Sequence, residues 1–256
     1  MIKLLHTPWE DYLPSCKDNQ FDLAPVDPPY GLGMSKKKNY GSKITRSKHS
    51  KNGSYVSVIN RTKFTPKDWD SETPSDEYFD ILKLKSKNQI IFCANYFPYI
   101  SGEDSFIPPS REEFDKFLEE HPTNWILWDK VNSETSFYDC ELAWTSFDIP
   151  SQKFTYMWNG MMQGKSIFEG HIQQGNKKLN EKRFHPTQKP VNLYKWILLN
   201  YAGKGDLILD THFGSGSLAI ACHDMGFDFI GCEKEGEYYN KAKNRLKIEQ
   251  SKLKLF

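Results

Sequence analysis

Apolar residues in this chain fall into short continuous runs, separated by stretches with helical spacing. Ile2–Leu5 is an apolar start, and Trp9–Leu13 reads as a helical turn leading to a strand over Phe21–Val26. Asn88–Tyr96 (NQIIFCANY), Trp125–Trp128 (WILW), the weaker Phe154–Trp158, Leu207–Leu209 and Phe227–Cys232 complete the strand set. Continuous rather than alternating runs suit parallel strands covered on both faces. The clearest helix starts at Ser217, an N-cap residue type. Leu218, Ala221, Cys222 and Met225 follow at helical spacing, and Gly226 is a natural stop. A second helix runs from about Gly236 into Ile248, with Tyr239, Ala242 and Leu246 on one face. Strands alternating with helices predict an α/β fold with a doubly wound, mostly parallel sheet. There is no internal repeat.

Composition narrows this picture only slightly. A chain of 256 residues suffices for one large α/β domain or two small ones. The formal net charge of +1 carries no whole-protein polyelectrolyte signal. No 18-residue apolar run exists to span a membrane, and Pro8 follows the N-terminal apolar residues too soon for a signal peptide. Cys16, Cys93, Cys140, Cys222 and Cys232 form no C-x-x-C pair, so reduced, buried thiols in a cytoplasmic protein are expected, with no zinc site. The 37 Phe, Tyr and Trp residues are mostly core, yet such a pool also permits stacking on bases.

Chemistry concentrates at two places. The run Asp27-Pro28-Pro29-Tyr30 follows the strand that ends at Val26. Two successive prolines offer no N–H, so the strand stops there with a carboxylate and an aromatic ring at its carboxyl end. In an open α/β sheet, ligands bind at that end. The second place is DLILDTHFGSGS, residues 206–217: a buried strand ending in Asp210, a tight Gly-Ser-Gly turn, then a helix. The glycines let backbone turn sharply and approach a ligand, and the helix start presents free N–H groups. Glu233 ends the next strand, 23 residues beyond Asp210, where an acid accepts hydrogen bonds from ribose hydroxyls. Gly214, Gly216 and Ala219 also match a dinucleotide fingerprint loosely. Taken alone, this turn fits a dehydrogenase or a turn that binds nothing.

Together the motifs resemble the β-class amino-group DNA methyltransferases, which use S-adenosylmethionine (SAM). Asp27–Tyr30 is similar to their D/N/S-P-P-Y/F/W catalytic motif. Phe213-Gly214-Ser215-Gly216-Ser217 is similar to the SAM motif in its D-P-F-x-G-S-G-T form, with Thr211-His212 following Asp210 where Pro is usual. His185-Pro186-Thr187-Gln188-Lys189-Pro190 is similar to the family's H-P-T-x-K-P segment, which contacts the methionine end of the cofactor. Catalytic motif first and SAM motif last is the circularly permuted order. The resemblance implies a Rossmann-like SAM-dependent methyltransferase fold forming one domain over residues 1–256. His6-Thr7 stands where many relatives carry Gly-Asp.

The implied roles follow. Asp27, Pro28, Pro29 and Tyr30 are catalytic: the Asp27 carboxylate and Pro28 carbonyl accept from an exocyclic amine, and Tyr30 stacks on the base. Asp210, Phe213, Gly214, Ser215, Gly216, Ser217 and Glu233, with His185, Thr187 and Lys189, hold SAM; no metal is needed. The target base must be flipped from double-stranded DNA. The stretch 31–67 has ten basic residues and no acid, including Lys36, Lys37, Lys38, Lys43, Arg46 and Lys48, and is expected to grip phosphates. Residues 152–183, with Gln163, Lys165, Gln173 and Gln174, are expected to read sequence, and a homodimer would share that task. Met157, Trp158, Met161 and Met162 read as core, and His171 and His212 as structural. The Asp in the first motif position favours adenine N6 as the target. Cytosine N4 is the alternative, and an idle nucleic-acid-binding relative the competing class.

Overall fold

The computed structural model describes residues 1–33, 68–102, 111–131, 140–158, 163–164 and 180–252. Its elements in chain order are β1 (Ile2–Leu5), α1 (Trp9–Tyr12), β2 (Phe21–Val26), α2 (Asp76–Lys85), β3 (Ser86–Phe92), α3 (Pro98–Ser101), α4 (Arg111–Glu120), β4 (Trp125–Asp129), β5 (Cys140–Thr145), β6 (Gln152–Thr155), α5 (Val191–Tyr201), β7 (Leu207–Asp210), α6 (Ser217–Met225), β8 (Asp228–Cys232) and α7 (Gly236–Gln250). The eight strands make one sheet in the order β1-β8-β7-β2-β3-β5-β4-β6. All neighbours are parallel except β5, which runs antiparallel to β3 and β4.

Side chains alternate between the faces, as a pleated strand requires. Leu23, Ile90, Phe92, Ile126, Trp128, Ile208 and Phe229 pack on one face with residues of α5, α6 and α7. Ala24, Val26, Ile91, Leu127, Leu209 and Ile230 pack on the other with Tyr78, Phe79 and Leu82 of α2 and Phe114 and Phe117 of α4. Two covered faces explain why the strands read as unbroken apolar runs. This is the expected doubly wound α/β fold with a mostly parallel sheet, and Met157 and Trp158 are buried as expected. All five cysteines are buried and free. Among the described residues, no helix is long and apolar enough to cross a membrane.

Several elements differ from expectation. β5 was not anticipated: CELAWT mixes Glu141 into a strand whose other residues pair with two antiparallel neighbours. α2, α4 and α5 were also missed. In α5, Trp196 and Leu199 lie outside the fully buried set, so the apolar run shows weak periodicity. Ser217 opens α6 but does not cap it. The cap is Gly216 at φ 72°, and the Ser217 hydroxyl donates instead to the Lys189 carbonyl at 2.7 Å. Residues 152–183 begin inside the sheet, because Gln152–Thr155 is edge strand β6 paired to β4.

Sequence order reverses between β2 and β7. From β2 the chain builds outward through β3, and from β7 it builds the other way through β8. Such a reversal opens a crevice at the carboxyl ends of the two strands. Pro25 gives β2 no N–H at its own position, and the β2–β7 register is a single pair, Leu23 with Ile208, whereas the β2–β3 register extends to Val26. Phe213 is pressed over β8 at a glycine: a Cβ on Gly231 would lie 2.8 Å from the Phe213 ring and 2.7 Å from Phe229. Gly231→Ala is therefore expected to destabilise the protein by about 1–3 kcal/mol through overpacking, read as a lower midpoint in chemical denaturation.

Candidate active site

A cavity of about 310 Å³ opens at that reversal. Asp27, Pro28, Pro29 and Tyr30 line it from β2. Phe213, Gly214, Ser215 and Ser217 line it from the turn after β7, Glu233 from the end of β8, and His185, Thr187 and Lys189 from the segment before α5. Three motifs up to 190 residues apart thus share one space. Asp210 and Gly216 do not reach it. The Asp210 carboxylate turns under the loop to accept the His212 N–H at 3.0 Å. Gly216 sits where a Cβ would lie 3.1 Å from Ala242 of α7, so its role is close helix packing. His212, expected to be structural, does line the cavity.

Asp27 is held from two sides on one oxygen. The Tyr30 hydroxyl donates to Oδ1, and the Lys189 ammonium lies 2.6 Å from the same atom. Lys189 also donates to the Tyr30 hydroxyl at 3.0 Å. Lys189, expected at the methionine end of a cofactor, thus directs its charge at the Asp27–Tyr30 run. Tyr30 stacks on Tyr96 with ring centroids 5.8 Å apart. Asp70 closes the far side, where its Oδ1 accepts the N–H groups of Tyr30 at 2.8 Å and Gly31 at 3.1 Å. Next to it, Trp69 joins the cavity wall with its ring 5.0 Å from that of His185.

The glycine turn is braced from β8 and α7. Both Glu233 oxygens accept backbone N–H groups, Oε2 from Gly214 at 2.9 Å and Oε1 from Glu235 at 2.8 Å. Gly214 at φ 46° leaves room for the His185 ring, which would be 3.4 Å from a Cβ. Arg245 of α7 donates to the Ser215 carbonyl at 3.1 Å and the Ser217 hydroxyl at 2.9 Å, and pairs with Glu181 at 2.6 Å. Glu181 in turn accepts the first N–H of α5, from Val191, at 3.0 Å. One Arg–Glu pair therefore fastens the glycine turn to the chain around His185–Lys189. Gln163, expected to read bases, is buried and exchanges two hydrogen bonds with the Glu181 backbone.

Burial sets the electrostatics. It pushes the Asp210 carboxyl up to about 8 against the His212 N–H, with the charges of Asp27 and Glu233 adding to the rise. It lowers His212 to about 3, so the imidazole in the wall is neutral. Burial raises Asp27 as well, and the attraction of Lys189 only partly offsets it. Lys189 stays above its ordinary value despite burial, because Asp27 and Glu141 both hold the ammonium. The basic residues Lys36, Lys37, Lys38, Lys43, Arg46 and Lys48 lie outside the described residues, as do Lys165, His171, Gln173 and Gln174.

Residues 151–244 match the DNA methylase model of the N6/N4 methyltransferases. The type II methyltransferase M2.MboI of Moraxella bovis is 28% identical over 249 residues, covering 92% of this chain and 84% of that protein. M.HpaI of Haemophilus parainfluenzae is 26% identical over 256 residues, covering 93% and 71%. These matches support an N4/N6 DNA methyltransferase family for this chain. Among solved structures, the M1.HpyAVI–SAM complex aligns over 96% of this chain and all of that one, at 20% identity and a TM-score of 0.48.

The groups that hold the motifs in place, Glu141, Glu181, Arg245, Asp70 and Trp69, gave no signal in the sequence. None sits in a motif, and each acts across a distance along the chain that spacing does not encode. Removing Arg245 leaves Glu181 partly buried without its cation. Arg245→Met is expected to cost about 1.5–3 kcal/mol, and Arg245→Met with Glu181→Gln less than the sum of the two single changes, in a denaturation double-mutant cycle.

Proposed function

We propose that this methyltransferase transfers a methyl group from SAM to the exocyclic N6 amine of adenine in double-stranded DNA. The observation that carries the reading is that the Asp27 carboxylate and the Gly214–Ser217 turn face one cavity. Its volume of about 310 Å³ lies at the lower end of the range for small-molecule sites. The donor set suits SAM: a glycine turn at a helix start, a carboxylate at the next strand end for ribose hydroxyls, and the aromatic rings of Trp69, His185 and Tyr238. Glu233, the Gly214–Ser217 backbone and the ring of His185 would hold it. When bound, it supplies a methyl group already activated as a sulfonium.

The chain's own task is then positioning. An adenine amine is a weak nucleophile because its lone pair is delocalised into the ring. Asp27 and the Pro28 carbonyl accept its hydrogens and turn the lone pair outward. Lys189 and the Tyr30 hydroxyl both engage Asp27 on Oδ1, which orients the carboxylate before the amine binds. The base reaches this depth by leaving the duplex, at a cost of a few kcal/mol. The ten basic residues of 31–67 are assigned to the phosphates meanwhile. The names of the type II relatives support a modification role beside a restriction enzyme.

Asp27→Ala is expected to abolish methyl transfer while SAM still binds. Turnover near that of the wild type would remove Asp27 from the mechanism. Because burial raises this carboxyl and the carboxylate is the active form, the wild-type rate falls with acid through a midpoint above the ordinary value of about 3.9. Modified-base analysis of DNA from expressing cells is expected to find N6-methyladenine; N4-methylcytosine instead would reassign the substrate. Glu233→Ala is expected to weaken SAM about tenfold or more, and unchanged affinity in calorimetry would reject Glu233 as a ligand.

A further inference from the structure

Glu141 lies on the antiparallel strand β5, outside every motif, and its side chain points at the Lys189 ammonium. The two charges form part of a chain of four that alternate in sign. Lys130 pairs with Glu141 Oε1, Glu141 Oε2 stands 3.4 Å from Lys189 Nζ, and Lys189 Nζ is 2.6 Å from Asp27 Oδ1. Lys189 is only 2% exposed. A lysine buried this deeply keeps its proton only if carboxylates hold it. Here two do, and they compete for it.

The competition is unequal in this state. Asp27 has the short contact. Glu141 Oε2 is buried, and its contact with Lys189 is not an aligned hydrogen bond. A buried acceptor left in that condition is uncommon in a native site. It is also well placed: an ammonium that leaves Asp27 meets Oε2 with little movement. Lys130 keeps Glu141 ionised for that purpose, since the two lysines pull its carboxyl down to about 2 against the effect of burial.

We propose that Glu141 is a positioning residue for methyl transfer, drawing the Lys189 ammonium off Asp27 as the substrate amine arrives. The inference rests on the role given to Asp27 above. An aspartate locked to a lysine is a poor acceptor for a second donor, because its charge is already spent on the ammonium. With Glu141 as an alternative partner, Lys189 orients the free Asp27 carboxylate and then releases it. The amine takes its place, and no unpaired charge is left in the buried cluster. The other groups facing Asp27 are Tyr30 beside it, Asp210 of β7, Cys93 after β3, Tyr78 of α2 and Tyr194 of α5. Among the described residues, Lys189 is the cation on Asp27, and Glu141 offers that cation a second carboxylate.

The test uses two variants with opposite expected signs. The Asp27 carboxyl is titrated by carbon NMR in the folded protein, alongside the acid limb of kcat. Lys189→Met removes the cation that favours ionised Asp27, and its midpoint is expected to rise by about 1–3 pH units. Lys189→Arg keeps the midpoint near the wild type. Glu141→Gln leaves Lys189 to Asp27 alone, so the midpoint is expected to fall by about 1 pH unit. In that variant kcat also drops, because Asp27 stays masked. If Glu141→Gln does not fold, Glu141→Asp, which withdraws the charge by one methylene, is expected to shift the midpoint the same way by less. Midpoints that do not move, or that move in the same direction in the Lys189→Met and Glu141 variants, would overturn the proposal. The reading of Asp27 itself fails separately, if Asp27→Ala retains turnover.

Discussion

An ammonium held 2.6 Å from a carboxylate at the end of the central strand organises this protein. Burial disfavours each charge taken alone. Desolvation works against Asp27, Lys189 and Glu141 alike, and the attraction of the ammonium to both carboxylates opposes it. That attraction ties three distant pieces of chain together. β2 delivers Asp27, the segment before α5 delivers Lys189, and β5 delivers Glu141. The cavity between them lies where the sheet reverses its order between β2 and β7.

Around this pair several polar side chains hold backbone still. Asp70 accepts the N–H groups of Tyr30 and Gly31 just where the Asp27–Tyr30 run ends. Glu233 does the same for Gly214 and Glu235. Arg245 reaches from α7 to the glycine turn, and through Glu181 to the start of α5. These contacts fix how far the glycine turn stands from Asp27. A reaction that depends on positioning an amine against an activated methyl is sensitive to that distance.

Much of this was legible in the sequence. The strand that ends at Asp27 and the strand–turn–helix around Gly214 were readable because proline and glycine act locally: a missing N–H stops a ladder, and a missing side chain permits φ of 46° and 72°. The H-P-T-Q-K-P match located Lys189, though not the direction of its ammonium. The helix cap was misread by one residue because a glycine at positive φ can take the cap position, freeing Ser217 to bond the Lys189 carbonyl. β5 escaped notice because its Glu141 interrupts the apolar pattern, and nothing along the chain indicates that two lysines would compensate it.

By itself, then, the sequence determined the strands that end at the site, the two sharp turns and the side chains fit for chemistry, since each follows from the character of a few neighbouring residues. It also carried motifs that resemble those of the N4/N6 DNA methyltransferases. Only the tertiary structure decided which oxygen of Asp27 is occupied, which carboxylate competes for Lys189, that Asp210 turns away from the cavity and that Gln163 is buried. Those contacts range from neighbours two or three positions apart to Lys189 and Asp27, 162 positions apart. Their energies come from desolvation and from distances of a few ångströms, which exist only once the sheet has formed.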